Sequence, residues 1–119
     1  MDFDGYAIGG VSVGEGHEAM MTAIEHSSPY LPSQKVRYLM GVGTPQDLVE
    51  GVARGVDIFD CVFPTRSGRF GTALTHAGRL HLLNSRFKDD SSPIEPGCDC
   101  ESCASGVPRG ALRAGFKAK

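Results

Sequence analysis

Asp60 is the residue of this sequence whose type and position most directly suggest chemistry. It lies in the apolar stretch 56–62, which predicts a short β-strand, and an arginine-bearing loop with Arg66 and Arg69 follows. A buried strand has little use for a carboxylate, because removing the charge from water is costly unless the carboxylate is paired. A carboxylate at the exit of a strand, in contrast, is where barrel enzymes hold catalytic groups. Two interpretations stay open: a catalytic carboxylate, or an aspartate that caps the following loop.

Three cysteines form a second chemical motif nearer the end of the chain. Cys98, Cys100 and Cys103 have the spacing Cys-x-Cys-x-x-Cys within a loop flanked by proline and glycine. Thiolates this close together can converge on one tetrahedral zinc ion. Without a sign of secretion, metal binding is favoured over a disulfide framework, and ordinary loop cysteines are the alternative. A closed structural site needs a fourth ligand, and no histidine or cysteine follows Cys103.

The composition is that of one ordinary globular domain. The chain has 119 residues, of which 40% are hydrophobic and 22% charged, and its net charge is −2, as in typical globular proteins. No apolar run approaches the roughly 20 residues of a membrane span, and no signal segment opens the chain. We therefore expect a cytoplasmic protein without a membrane partner. Residues 61–119 carry nine basic against five acidic residues, which favours a face for a polyanion over a merely solvated hairpin.

Strands and helices alternate over the first half of the chain. The predicted segments are strand 6–13 running into a glycine turn, helix 16–26, strand 36–42, helix 45–54 and strand 56–62. Thr44 is the predicted N-cap of the second helix, and Gly55 suits its C-terminal end. Its predicted apolar face consists of Leu48, Val49, Val52 and Ala53. This β-α-β-α-β order at short spacing implies parallel strands joined by right-handed crossovers.

Glycines follow each of the three predicted strands. They occur at Gly9 and Gly10, at Gly41 and Gly43, and again at Gly68. Glycine lets a ligand approach the main chain closely, although turn formation alone also explains a glycine. The exits of parallel strands fall on one end of the sheet, which is the end where α/β sheets and barrels bind ligands.

The pattern changes after Pro64. Residues 70–75 and 79–83 flank the sequence His76-Ala77-Gly78, which predicts a β-hairpin. Residues 86–97 are predicted as loop. The last stretch, 105–119, has little periodicity, and we expect it to be mobile.

Four motifs occur together and in order. They are Gly9-Gly10-Val11-Ser12-Val13-Gly14-Glu15, Tyr38-Leu39-Met40-Gly41-Val42-Gly43, Phe59-Asp60-Cys61-Val62 with Pro64-Thr65-Arg66, and Cys98-x-Cys100-x-x-Cys103. Together they resemble the C-terminal part of a bacterial-type tRNA-guanine transglycosylase (queuine tRNA-ribosyltransferase), over roughly residues 4–103. The family fold is a (β/α)8 TIM barrel with an inserted zinc subdomain. The resemblance therefore implies an α/β fold in which the three strands are the last three βα units of a barrel, incomplete in this chain.

The resemblance implies that Asp60 is a nucleophile. In the family this aspartate attacks C1′ of the ribose at the anticodon wobble position of tRNA and displaces guanine. A free 7-deazaguanine base, a precursor of queuosine, then completes the exchange through the covalent aspartyl–ribose intermediate. This is the double-displacement logic of a retaining glycosidase, applied to an N-glycosidic bond. The alternative is a catalytically inactive RNA- or zinc-binding remnant of such an enzyme.

Further residues match binding positions of the family. The expected base-binding residues are Tyr6, Gly9, Gly10, Glu15, Met40 and Gly41. Among them, Tyr6 and Met40 are expected to sandwich the base by stacking. Thr65, Arg66 and Arg69 are expected to bind tRNA, with the arginines on its phosphates.

The resemblance also implies a zinc site and a division of the chain. Cys98, Cys100 and Cys103 match structural zinc ligands, and the fourth ligand is missing from this chain. The expected parts are a barrel part at 1–64, a hairpin and zinc subdomain at 65–104, and a mobile tail at 105–119 that departs from the family. Because the family's second catalytic aspartate lies upstream, we expect little or no turnover from this chain alone. The full-length enzymes are expected to be homodimers.

Overall fold

The computed structural model describes residues 2–118, and the chain divides into two compact units. The N-terminal unit is Met1–Phe63 and the C-terminal unit is Pro64–Lys119. The first contains a three-stranded sheet and the second a two-stranded sheet. The protein is thus of mixed α/β class, and its described strands close no barrel. No helix within residues 2–118 has the length and apolar character needed to cross a membrane.

The N-terminal unit is a parallel β-α-β-α-β arrangement, as predicted. Its elements are β1 (Gly5–Ile8), α1 (His17–Ser27), β2 (Val36–Leu39), α2 (Pro45–Ala53) and β3 (Ile58–Phe59). The strand order is β1-β2-β3, and both neighbouring pairs are parallel. In the register, Ile8 pairs with Leu39 and Leu39 pairs with Phe59. The last residues of the three strands therefore lie side by side at one edge of the sheet.

One face of this sheet packs against α1. Ile8 and Leu39 point into a core that they share with Met20, Met21 and Ile24 of the helix. Leu39 and Ile24 are fully buried. Because successive side chains of a strand point to opposite faces, Tyr38 in β2 and Met40 directly after it point away from α1. The sheet therefore separates the helix-covered core from the face on which Tyr38 lies.

The second helix begins as predicted, but a different face of it packs against the sheet. The Thr44 side chain accepts from the Asp47 N–H, and the Asp47 carboxylate accepts from the Thr44 N–H, which makes a complete capping box. The predicted apolar face, however, is exposed, with Val49 at 72% and Val52 at 60%. Gly51 faces the sheet instead. Its backbone packs so closely on Phe59 that a Cβ at this position would lie 2.7 Å from the Phe59 ring. Close packing of the glycine against Phe59 decides which side of α2 meets the sheet.

His17 connects the starts of α1 and α2. Its Nδ1 lies 2.9 Å from the Asp47 carboxylate and its Nε2 lies 3.1 Å from the Glu50 carboxylate. The hydrogen bond to Glu50, together with the one to Asp47, raises the pKa of His17 above its ordinary value. Both ring nitrogens face acceptors, so the geometry favours the imidazolium, which donates from both.

The C-terminal unit begins with a helix where the sequence predicts a loop. Its elements are α3 (Phe63–Arg69), of which all residues but the first belong to this unit, β4 (Thr72–Thr75), β5 (Gly78–His81), α4 (Glu101–Ala104) and α5 (Arg109–Lys117). Pro64 is the second residue of α3, where the missing N–H of proline costs no intrahelical hydrogen bond. The antiparallel pairing of β4 with β5 confirms the predicted hairpin. Gly78 follows its two-residue turn with φ +106°, which glycine adopts without strain.

Helix α5 lies within residues 105–119, the stretch that is expected to be a mobile tail. The Arg109 guanidinium donates to the Asp90 carboxylate and to the Ile94 carbonyl, at 3.3 and 2.9 Å. It also lies 5.6 Å from the ring centroid of Phe87, which is buried. Gly110 approaches the backbone so closely that a Cβ there would lie 2.8 Å from the Lys88 carbonyl oxygen. The weak local periodicity is thus compensated by contacts with residues 87–94.

The two glycines of α5 provide a matched test of this packing. We expect Gly110→Ala to destabilise the C-terminal unit by about 1–2 kcal/mol, because overpacking against backbone outweighs the gain in helix propensity. Gly115 has no atom within 4 Å of its Cβ position, so Gly115→Ala should stabilise by about 0.5–1 kcal/mol. Thermal unfolding followed by circular dichroism measures both. Equal shifts of the same sign would contradict the close approach of Gly110.

The His17 contacts predict a pH-dependent stability. Because the pKa is raised in the folded state, the stabilisation is fully present below about pH 6.5, the ordinary histidine pKa, and is lost as the pH rises through the folded pKa. The unfolding free energy of wild type minus that of His17→Ala, from urea titrations, should therefore shrink towards pH 9. His26→Ala, on the same helix, serves as the control. This variant keeps His17, so its unfolding free energy should retain the contribution of the His17 contacts and its dependence on pH. A pH-independent difference would contradict the ionic contact.

Candidate functional site

The loops that follow the three strands meet at one edge of the parallel sheet. The Met40 N–H donates to the Ile8 carbonyl at 3.0 Å. A Cβ on Gly41 would lie 2.8 Å from Ser12 Oγ, and a Cβ on Gly43 would lie 2.6 Å from the Cβ of Cys61. Glycine at these positions allows the approach of the loops. The predicted gathering of the three strand exits is therefore confirmed, whereas Gly68, the glycine expected at the third exit, lies within α3.

Asp60 lies at this edge, directly after β3. Its Oδ1 accepts hydrogen bonds from the Tyr38 hydroxyl at 2.7 Å and from the Gly41 N–H at 2.8 Å. The Tyr38 hydrogen bond, followed by that from Gly41, lowers the pKa of Asp60 below its ordinary value. The same contact raises the pKa of Tyr38, so the phenol stays protonated and donates. Asp60 is therefore an exposed, ionised carboxylate held in place by two donors.

Tyr38 is the site residue that the sequence analysis did not assign. It pairs with Ile58 in the β2–β3 register, and Asp60 is two residues beyond Ile58. Residues i and i+2 of a strand point to the same face, which brings the hydroxyl of Tyr38 to the carboxylate. In the sequence, the alternation of Tyr38 and Met40 with the apolar Leu39 indicates that Tyr38 lies on the face opposite the core. Only the pairing register shows that this face also holds Asp60.

The expected stacking of Tyr6 and Met40 on a base stays a prediction, and the register describes where the two residues lie. Tyr6 is two residues before Ile8 and shares its helix-covered face, whereas Met40 follows Leu39 and points to the opposite face. The Tyr6 ring instead makes an edge contact with Phe3, with ring centroids 6.0 Å apart. Met40 remains at the site, since its sulfur lies 3.2 Å from the Cβ position of Gly9.

The loop after β1 encloses a cleft beside the strand exits. Gly10, Gly14 and Gly16 have positive φ angles in this loop, and the Glu15 carboxylate accepts from the Val13 N–H at 3.1 Å. The cleft has a volume of about 340 Å³ and is lined in part by Ser12, Glu15, Gly41 and Cys61. By accepting this backbone hydrogen bond, the Glu15 side chain helps to fix the conformation of the loop.

The expected tRNA-binding residues lie on α3. Thr65, Arg66 and Arg69 are exposed there. The Arg69 guanidinium lies 5.4 Å from the ring centroid of Phe70. The three side chains are thus part of one short helix rather than of a loop.

The three cysteines of the C-terminal unit converge as their spacing predicts. Their sulfur atoms lie within 4.8 Å of one another. The Cys103 N–H donates to the Cys100 sulfur, and with the Cys98 thiol it lowers the pKa of Cys100. Within residues 2–118 no His, Asp or Glu side chain joins the cluster. Three soft donors in this arrangement can bind a metal ion.

Glu95 ties the cysteine segment to the hairpin turn. Its carboxylate accepts from the His76 N–H at 2.8 Å, and its carbonyl accepts from the Cys98 N–H at 3.3 Å. The hydrogen bond from the His76 backbone, joined by its ring, lowers the pKa of Glu95. The segment with the three cysteines is therefore attached to the turn between β4 and β5 by the Glu95 side chain.

A sequence model of the family "Queuine tRNA-ribosyltransferase" matches residues 1–119 of this chain. The chain therefore belongs to the queuine tRNA-ribosyltransferase family. The match includes residues 105–119, which corrects the expectation that this stretch departs from the family. Its physical counterpart is the ordered helix α5.

Curated relatives with the name queuine tRNA-ribosyltransferase support this membership. The chain is 56% identical over 102 residues to the protein of Granulibacter bethesdensis, and 58% identical over 104 residues to that of Acidovorax sp. strain JS42. These matches cover 86% and 87% of the chain and 27% of each relative. The protein of Lachnoclostridium phytofermentans is 52% identical over all 119 residues, which are 31% of its length. The chain thus spans less than a third of these relatives.

The cysteine cluster predicts binding of one thiophilic divalent ion. We expect Co²⁺ titration to give an intense sulfur-to-metal absorption band that saturates at one equivalent and disappears on adding Zn²⁺, which competes for thiolates. Cys103→Ser should abolish the band, because its sulfur is the buried member of the cluster. Cys61→Ser is the matched control and should retain it. A band that survives Cys103→Ser would place the metal elsewhere.

Proposed function

We propose that this chain is part of a tRNA-guanine transglycosylase, with its N-terminal unit forming the last three βα units of a (β/α)8 barrel. The observation that carries the proposal is the ionised Asp60 at the C-terminal edge of parallel strands, held by Tyr38 and Gly41. Family membership over the whole chain supports it. The enzyme exchanges guanine at the wobble position of tRNA for a 7-deazaguanine precursor of queuosine.

Asp60 acts as the nucleophile in this proposal. Its exposure gives a ribose access to the carboxylate, and the lowered pKa keeps it ionised at neutral pH. Attack on C1′ replaces the glycosidic bond to guanine with a bond to the aspartate, and the incoming base reverses this step. A carboxylate suits the reaction because it stabilises positive charge that develops on the sugar.

The exchanged base occupies the space beside the strand exits. Gly9 and Gly10 present main chain without side chains, and Gly10 has the φ of +77° that glycine tolerates. Met40 contributes a polarisable thioether next to Gly9, which suits contact with the flat face of a purine. A base removed from a folded anticodon loop requires an apolar contact of this kind.

The basic residues of the C-terminal unit bind the tRNA backbone. Arg66 and Arg69 lie on one exposed helix face, three residues apart. Guanidinium groups bind phosphate oxygens with charge-assisted hydrogen bonds. Thr65, in the same helix, offers a hydroxyl to the same backbone. Association should therefore weaken steeply with salt.

Zinc is the metal that we assign to the cysteine cluster. Cys98, Cys100 and Cys103 provide three sulfur ligands within 4.8 Å of one another, and zinc in structural sites is bound by thiolates. The ion would hold residues 98–103 against the hairpin through Glu95 and so shape the tRNA-binding surface. Its role is structural, and the exchange reaction proceeds on Asp60. The full-length enzyme acts as a homodimer in this proposal.

The test is covalent capture of tRNA. We design a full-length chimera in which this chain replaces the matching 119 residues of the Lachnoclostridium phytofermentans relative. Incubated with tRNA and no free base, the chimera should form an adduct that survives denaturing electrophoresis. Asp60→Asn should reduce the adduct by about a thousandfold or more, because a nucleophile is lost.

The control is Asp4→Asn, an exposed carboxylate just before β1, which should leave the adduct unchanged. An adduct of undiminished yield in Asp60→Asn would overturn the proposal. Salt-dependent tRNA binding without any adduct in the chimera would favour the binding remnant instead.

A further inference from the structure

Both hydrogen bonds that described residues make to Asp60 end on the same oxygen. The Tyr38 hydroxyl and the Gly41 N–H converge on Oδ1, at 2.7 and 2.8 Å. The two donors come from different places: one is a side chain within β2, and the other is backbone just after it. This arrangement distinguishes the two carboxylate oxygens, which are chemically equivalent in an unbound aspartate.

We propose that Oδ2 of Asp60 is the attacking atom, and that Tyr38 is a positioning residue that balances formation of the covalent intermediate against its breakdown. The inference deepens the proposed function and rests on it. Tyr38 acts through the carboxylate and does not itself touch the ribose in this account.

The first step forms a bond to Oδ2. A lone pair of Oδ2 attacks C1′, the bond between C1′ and N9 of guanine breaks, and its electron pair stays on guanine, which takes a proton from water. Oδ1 becomes the carbonyl oxygen of the resulting ester and keeps its two donors. The hydrogen bonds fix the carboxylate plane, so Oδ2 is directed before the substrate arrives.

The second step returns the charge to the carboxylate. N9 of the incoming deazaguanine attacks C1′ and loses its proton to water, while the bond between C1′ and Oδ2 breaks and its electron pair returns to Asp60. Donors to Oδ1 stabilise the ionised carboxylate more than the neutral ester, because charge-assisted hydrogen bonds are about twice as strong as neutral ones. Tyr38 therefore makes Asp60 a better leaving group and a slightly weaker nucleophile.

The structure gives Tyr38 a rigid base for this task. β2 is the central strand, with β1 and β3 hydrogen-bonded on its two sides, and the adjacent Leu39 is fully buried. A donor on the central strand is held more firmly than one on a surface loop. The Gly41 N–H remains when Tyr38 is altered, so the carboxylate retains one anchor.

The experiment is Tyr38→Phe in the full-length chimera, assayed in separate steps. We expect denaturant-resistant tRNA adduct to form at the wild-type rate or faster. Release of tRNA by free deazaguanine should slow about tenfold, the effect of losing one charge-assisted hydrogen bond. The adduct should therefore accumulate at steady state. The acid limb of the pH profile for adduct formation should move to higher pH, because the pKa of Asp60 rises without the donor.

Each outcome has a separate meaning. Tyr30→Phe, which alters an 88% exposed tyrosine, should reproduce wild type in every readout. If Tyr38→Phe slows both steps equally without accumulating adduct, the positioning role is wrong while the proposed function stands. If the unsubstituted chimera forms no adduct, the proposed function is wrong, and the role of Tyr38 in it is wrong as well.

A measurement on the 119-residue chain tests the same contact without catalysis. Titration of the Asp60 carboxyl carbon by NMR should give a higher pKa in Tyr38→Phe than in wild type, and Tyr30→Phe should give no change. An unchanged Asp60 pKa in Tyr38→Phe would overturn the inference.

Discussion

The register between β2 and β3 is the constraint on which the candidate site depends. Pairing of Tyr38 with Ile58 puts the phenol two residues from Asp60 on the same face of the sheet. A slip of one residue would turn Asp60 toward the helix-covered core, where an unpaired carboxylate is costly. The hydrogen bonds from Tyr38 and Gly41 therefore form only in this register, and they stabilise it.

The buried face of the sheet maintains this register. Leu39 lies between Tyr38 and Met40 and is fully buried with Ile24, so hydrophobic burial determines which residues of β2 face the site. The His17 contact with Asp47 and Glu50 joins the two crossover helices at their N-terminal ends. The site itself remains exposed, as the proposed attack of Asp60 on a ribose requires. The buried core and the candidate site thus lie on opposite faces of the same strands.

The parts of the structure that sequence predicted are those with local causes. Strand and helix order follows from periodicity, and the start of α2 follows from the Thr44–Asp47 capping box. The hairpin follows from its glycine turn, and the cysteine cluster from a spacing of a few residues. The helix α3 was missed because proline and glycine around it suggested a loop, although proline is compatible with a first turn.

The remaining differences have nonlocal causes. The exposure of Val49 and Val52 is decided by the packing of Gly51 on Phe59, which no pattern within α2 encodes. Helix α5 depends on Arg109 contacts some 15 to 19 residues away in sequence. The role expected for Tyr6 came from the resemblance, and strand parity places this residue on the face opposite Met40.

Asp60 is proposed to form the covalent bond to tRNA, and peptide mapping of the adduct identifies the bonded residue. The adduct of the full-length chimera would be digested with nuclease and protease, and the modified peptide sequenced by tandem mass spectrometry. We expect a ribosyl mass on Asp60 within residues 55–66. A ribosyl mass on Glu15, Cys61 or any other side chain would contradict it.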